Sequence, residues 1–146
     1  MRIFNGKGMA EKNLLGLKEK ILKDKIIPVL SVIFIGQDRA SKLFISNKKQ
    51  AAKRIGIKVN HYSFKETALE KEILQKIEEL NNDRAVDGII VQFPLPKKLK
   101  TKKIMEKINP QKDVDGFGKK THFSSPLISA ILIALKDSTK KLKDKK

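Results

Sequence analysis

"PVLSVIFIGQDRASKLFISNKKQAAKRIGIKVNHYSF", residues 28–64, decides the fold. Its first part, 28–36, is a continuous apolar run rich in β-branched residues and stopped by glycine. A strand buried on both faces of a sheet reads this way. Residues 40–55 then predict a helix, with Ser41 as its N-cap and Gly56 just past its end, where glycine tolerates the left-handed conformation that closes a helix. A second strand follows over 57–64. Strand, helix and strand in succession predict a parallel pair joined by a crossover helix.

The same alternation extends in both directions. Residues 10–23 carry apolar side chains at 14, 15, 17, 21 and 22, a helical stripe. Thr67 and Glu70 have the spacing of a capping box opening a helix over 68–81. "VDGIIVQFPLP" (86–96) is another buried strand, ended by prolines that have no N–H to give to a ladder. A short helix over 101–108, a polar loop "NPQKDVDGFGKK" and a mostly apolar helix over 126–136 complete the pattern, and that last helix is expected to be buried. The predicted fold is α/β: a three-layer αβα arrangement with a mainly parallel sheet. It forms a single domain over 1–136, followed by a basic tail over 137–146.

Composition narrows the chemistry. The chain has 146 residues, 40% of them hydrophobic, which is the size and content of one ordinary domain. It has no cysteine, so neither disulfides nor thiolate metal sites contribute, and His61 and His122 lack ligand spacing; no metal is expected. No apolar run approaches a membrane span and no signal-peptide core opens the chain, so a cytoplasmic location is expected. The formal charge of +17 raises the reading of a nucleic-acid-binding module. The lysines are scattered, however, concentrating only at 96–103 and 140–146, and an aromatic content of 5% leaves little for base stacking.

In parallel sheets, ligands bind beyond the carboxyl ends of the strands. Those ends here are "GQDRAS" (36–41) and "QFPLP" (92–96), and Phe44 and Lys48 lie one turn apart on the helix that begins at the first. The topology thus brings Lys48, Gln92 and the loop holding Asp113 and Asp115 toward one crevice.

Residues 32–57, 86–96 and 108–117, in that order, together with the opening "IFNGKGMAEKNL", resemble the catalytic domain of the methylenetetrahydrofolate dehydrogenase/methenyltetrahydrofolate cyclohydrolase family. The resemblance implies Lys48 as the central acid/base, Gln92 as the group that contacts and tunes it, and Asp115 as the carboxylate for the pterin ring. Phe44, Val91 and Phe93 join Lys48, Gln92 and Asp115 as its expected substrate-binding residues. It implies a reduced folate as the small-molecule substrate, with interconversion of methylene-, methenyl- and formyl-tetrahydrofolate in one-carbon metabolism. These residue types suit the task. Desolvation makes a lysine give up its charge more readily, so that it can exchange protons near neutral pH. An amide orients it without adding charge, and a carboxylate matches the donor-rich pterin edge.

Three departures accompany the resemblance. Phe44 stands where the family carries a tyrosine, and so keeps a ring face but no hydroxyl. The loop after Asp115 is short, and Ser129 stands near the place of a helix glycine. No G-x-G-x-x-G turn is present, and "GKG" at 6–8 follows no convincing strand. No cofactor is therefore expected on this chain, and NADP would need a nucleotide-binding domain supplied separately. Three readings remain open: a truncated gene product, a domain that pairs with a separate nucleotide-binding chain, or a folate-binding pseudoenzyme.

Overall fold

The computed structural model describes residues 4–143, with side chains described up to Lys136. Three parallel strands form its sheet: β1 (Val29–Ile35), β2 (Lys58–Phe64) and β3 (Gly88–Val91), in the order β2-β1-β3. The register pairs Ile33 with Tyr62 on one side and with Val91 on the other. The sheet is wholly parallel among the named strands.

Helices α1 (Gly6–Asp24) and α2 (Arg39–Ile55) lie on one face, and α3 (Glu70–Asn82) and α4 (Thr101–Lys107) on the other. Strand alternation builds both cores. Ile33, Ile35, Ile89 and Val91 point toward Ile73, Ile77 and Ile104, whereas Val32, Phe34 and Ile90 point toward Ile45 of α2. Ile73 and Ile77 are completely buried, each stabilising the fold by roughly 1.5–3 kcal/mol. The three layers of the predicted fold are present.

Local chemistry differs from the sequence expectations at several ends. Asp38, not Ser41, caps α2: its carboxylate accepts from the Ser41 amide at 2.6 Å, leaving Ser41 inside the first turn. Gly56 closes α2 at φ +88°, as its identity predicts. The α3 cap is also shifted. The chain enters at Leu69, whose amide is accepted by Glu72, while Glu70 receives Lys103 and the Lys100 amide from α4. Thr67 lies outside the helix because the turn before it takes up two more residues than the capping-box spacing assumes. Strand β3 is shorter than 86–96. One further bond, from the Gln92 amide to the Ile33 carbonyl, extends it before the cis Phe93–Pro94 peptide turns the chain away.

The last helix, α5 (Pro126–Lys143), corrects a stronger expectation. Leu127, Ile128, Ile131 and Leu132 are between 51% and 70% exposed rather than buried. Apolar content shows that a surface favours cover; it does not ensure that the same segment of chain provides it. Among the described residues, no helix is long and apolar enough to cross a membrane.

Candidate active site

The carboxyl ends of β1 and β3 bring the site together. Helix α2 leaves the end of β1, and its amphipathic pattern sends Ile45 into the core while Lys48, one turn along, stays half-buried at the rim. Gln92 follows β3 directly. Since Val91 faces the α3–α4 core, the pleat turns Gln92 toward α2. The Lys48 ammonium donates to Gln92 Oε1 at 3.1 Å. Gln92 Nε2 donates in turn to the Phe93 carbonyl at 2.8 Å, which fixes which end of the amide faces the lysine.

A second donor reaches the same carbonyl. Ser41, 1% exposed, donates its hydroxyl to Phe93 O at 2.9 Å. This bond ties the first turn of α2 to the turn after β3, across 52 residues of sequence. Reading Ser41 as a cap concealed this contact, because only the assembled sheet places the two segments side by side.

Asp115 lies on the loop between α4 and α5. Burial pushes its carboxyl above the ordinary aspartate value; the Lys48 charge pulls in the opposite direction, and Asp113 adds to the rise. A half-buried carboxylate within electrostatic reach of an ammonium suits a ligand that supplies N–H donors and gains from ionising it. Phe117, two residues on, sets its ring edge-on to Phe93 with centroids 5.3 Å apart, and both rings line a concavity shared with Thr101, Met105 and Glu106 of α4.

The remaining expected residues are placed unequally. Phe44 is 60% exposed, with its ring face open to solvent one turn before Lys48. Phe93 is half-buried at the crevice. Val91 is 0% exposed, so its side chain presents no surface to a ligand and supports Gln92 from below. Lys48, Gln92 and Asp115 are thus brought together, with Phe93 beside them and Phe44 at the edge.

Other concavities do not share this chemistry. A groove of about 720 Å³ between α3 and α4 is crossed by the ion pairs Lys103–Glu70 and Lys107–Glu78 and lies on the opposite face from α2. Among the described residues, no three His, Cys, Asp or Glu side chains converge as a metal site would require. His61, on the edge strand, has its imidazole pushed below the ordinary value by desolvation and by Lys49, away from the crevice.

Two helix N-termini already carry side-chain caps. The amide of Gly8, in the "GKG" turn, is already taken by Asn5 Oδ1 at 2.9 Å. The N-terminus of α2, the strand-to-helix entry at the crevice, holds the Asp38 carboxylate, which the Ser41 backbone and side chain keep below its ordinary value. A phosphate there would meet a negative charge.

Comparison with known proteins shows the family. The sequence model of the tetrahydrofolate dehydrogenase/cyclohydrolase catalytic domain matches residues 4–115. The bifunctional protein FolD of Staphylococcus aureus is 46% identical over 119 residues, covering 80% of this chain and 42% of that protein. The crystal structure of the bifunctional enzyme FolD from Campylobacter jejuni aligns with a TM-score of 0.86 at 33% identity, over 92% of this chain and 52% of that one. A 5,10-methylenetetrahydrofolate dehydrogenase from the silkworm Bombyx mori aligns with a TM-score of 0.78 at 36% identity, over 80% and 42%. This chain therefore spans about half the length of the relatives it matches. It belongs to the tetrahydrofolate dehydrogenase/cyclohydrolase family, through that family's catalytic domain.

Proposed function

We propose that this chain binds a reduced folate in the crevice between α2 and the 113–118 loop, and that Lys48 is the acid/base of hydrolytic one-carbon chemistry there. The observation that carries this reading is the 3.1 Å bond from Lys48 to a Gln92 amide that is itself oriented, with the Asp115 carboxyl within electrostatic reach of the same ammonium. Asp115 would receive the donor edge of the pterin, and the rings of Phe44, Phe93 and Phe117 would flank the ligand.

In the hydrolytic direction, water adds to the bridge carbon of a methenyl folate and one C–N bond breaks. The carbon remains as a formyl group on one nitrogen, the other nitrogen gains one of water's protons, and the second proton leaves to solvent as the methenyl cation's charge is lost. Lys48 moves the proton between water and leaving nitrogen, while Gln92 holds the amine in place. The methylene-to-methenyl step needs a hydride acceptor. On this reading that step would need a nucleotide-binding domain supplied separately. A nucleic-acid role has less support. The basic side chains are dispersed over every helix, and several sit in exposed ion pairs with Glu11, Glu70, Glu78 and Glu79.

Calorimetric titration of the chain with a reduced folate, and separately with NADP, tests the reading. Folate binding without NADP binding is expected; NADP binding without folate binding overturns it.

A further inference from the structure

Two aspartates two residues apart hold contrasting positions. Asp115 is half-buried and within electrostatic reach of Lys48, whereas Asp113 is 1% exposed and turned inward. The Asp113 carboxylate accepts from the Gly118 amide at 2.7 Å and from the Gly116 amide at 3.2 Å. Its own backbone carbonyl accepts from the Thr121 hydroxyl at 3.0 Å, and its amide donates to the Asn109 carbonyl at 3.0 Å. The residue gathers both ends of the loop that contains Asp115.

The glycines around it leave no slack. Gly116 adopts φ +69°, and a Cβ there would lie 2.7 Å from the Phe123 carbonyl oxygen. A Cβ on Gly118 would lie 2.9 Å from Asp113 Oδ2. Upstream, the Lys112 ammonium donates to the carbonyls of Leu80, Asn81 and Asp83 at 2.7–2.9 Å, anchoring the loop to the end of α3. The Ile89 amide donates to the Lys112 carbonyl at 2.7 Å, docking the loop beside β3. One end of the segment is pinned to the sheet and α3, and the turn itself is closed around one buried carboxylate.

We propose that Asp113 is a positioning residue for ligand binding: it folds the 113–121 turn around its carboxylate, and so sets where Asp115 meets the ligand. Its action is through Asp115, not through contact with folate. The inference rests on the folate reading above, and the test separates the two.

The test is a double-mutant cycle read by calorimetric titration with a reduced folate, alongside thermal unfolding of each protein. Asp113→Asn keeps the shape but turns an N–H₂ toward one of the two glycine amides. With the turn loosened, folate affinity should fall by roughly 10- to 100-fold. In an Asp115→Asn background the same substitution should cost no further affinity, while lowering the melting temperature as it does alone. A merely structural residue would cost the same affinity in both backgrounds, and that result overturns the proposal. If Asp113→Asn does not fold, Gly118→Ala carries the same cycle, since its methyl presses on Asp113 Oδ2. Unchanged affinity in a folded variant also overturns it. Absence of folate binding by the unsubstituted chain instead overturns the functional reading, and this proposal with it.

Discussion

Replacing Lys48 with methionine separates chemistry from folding. Methionine keeps the unbranched stem and has nearly the helix propensity of lysine, so α2 should form unchanged. The structural loss is one bond, from the ammonium to Gln92 Oε1 at 3.1 Å. Such charge-assisted bonds are worth about 1.5–3 kcal/mol. Lys48 and Gln92 are both half-buried, so water can satisfy the orphaned amide and the thioether regains part of the apolar contact. The net cost should be about 1 kcal/mol, a melting shift of roughly 4 °C for a domain of this size. The chemical loss is larger, because a positioned proton carrier contributes about 10²–10⁴ in rate, or roughly 3–5 kcal/mol of barrier. The assay follows the decay of methenyl-tetrahydrofolate absorbance above its spontaneous rate, in a buffer that does not itself speed the hydrolysis, together with thermal unfolding by circular dichroism. Phe44→Tyr belongs in the same series. The Phe44 ring is 60% exposed, so a hydroxyl added there should leave stability unchanged and raise turnover by about tenfold, part of the full acid/base effect. Equal hydrolysis by the unsubstituted chain and Lys48→Met would refute the assignment of Lys48. Folate binding with no hydrolysis in any variant would identify a pseudoenzyme.

Two further outcomes follow from burial. The Asp115 carboxyl titrates above the ordinary aspartate value because burial, and then Asp113, oppose its charge. The folded chain therefore holds this proton more tightly than the unfolded one, and its contribution to stability is lost as pH rises from about 3.9 through the raised value. Asp115→Asn should gain melting temperature relative to the unsubstituted chain across that window, and folate affinity should fall on acidification only while Asp115 is present; parallel melting curves with pH would contradict this. Ser31 offers a test free of function: its hydroxyl is completely buried and has no hydrogen-bond partner. Ser31→Ala should stabilise the fold by about 1 kcal/mol, since an unsatisfied buried hydroxyl costs roughly 1–3 kcal/mol, and a lower melting temperature would refute it.

Much of the architecture was written in local pattern. The run over 28–36, the helical stripe that follows and Gly56 at its end specify strand, helix and closure, because burial on both faces and a left-handed terminus each demand particular residue types. Lys48, Gln92 and Asp115 were singled out by the resemblance of residues 32–57, 86–96 and 108–117 to a known family; the alternation of elements by itself only brought their segments near one another.

Other features depend on partners far away in sequence. Asp38 took the cap of α2, and so freed Ser41 to reach Phe93 across the sheet. Asp113 looks like any loop aspartate until Gly116 and Gly118 fold their amides onto it. Burial of α5 could not be inferred from its apolar residues, since cover comes from neighbours and not from composition. The sequence determines strand, helix and turn through contacts a few residues long, and it set the order of layers here. Which carboxylate turns inward, which serine joins two segments and which apolar face stays open were decided only by the packed chain, because each depends on groups that meet through space.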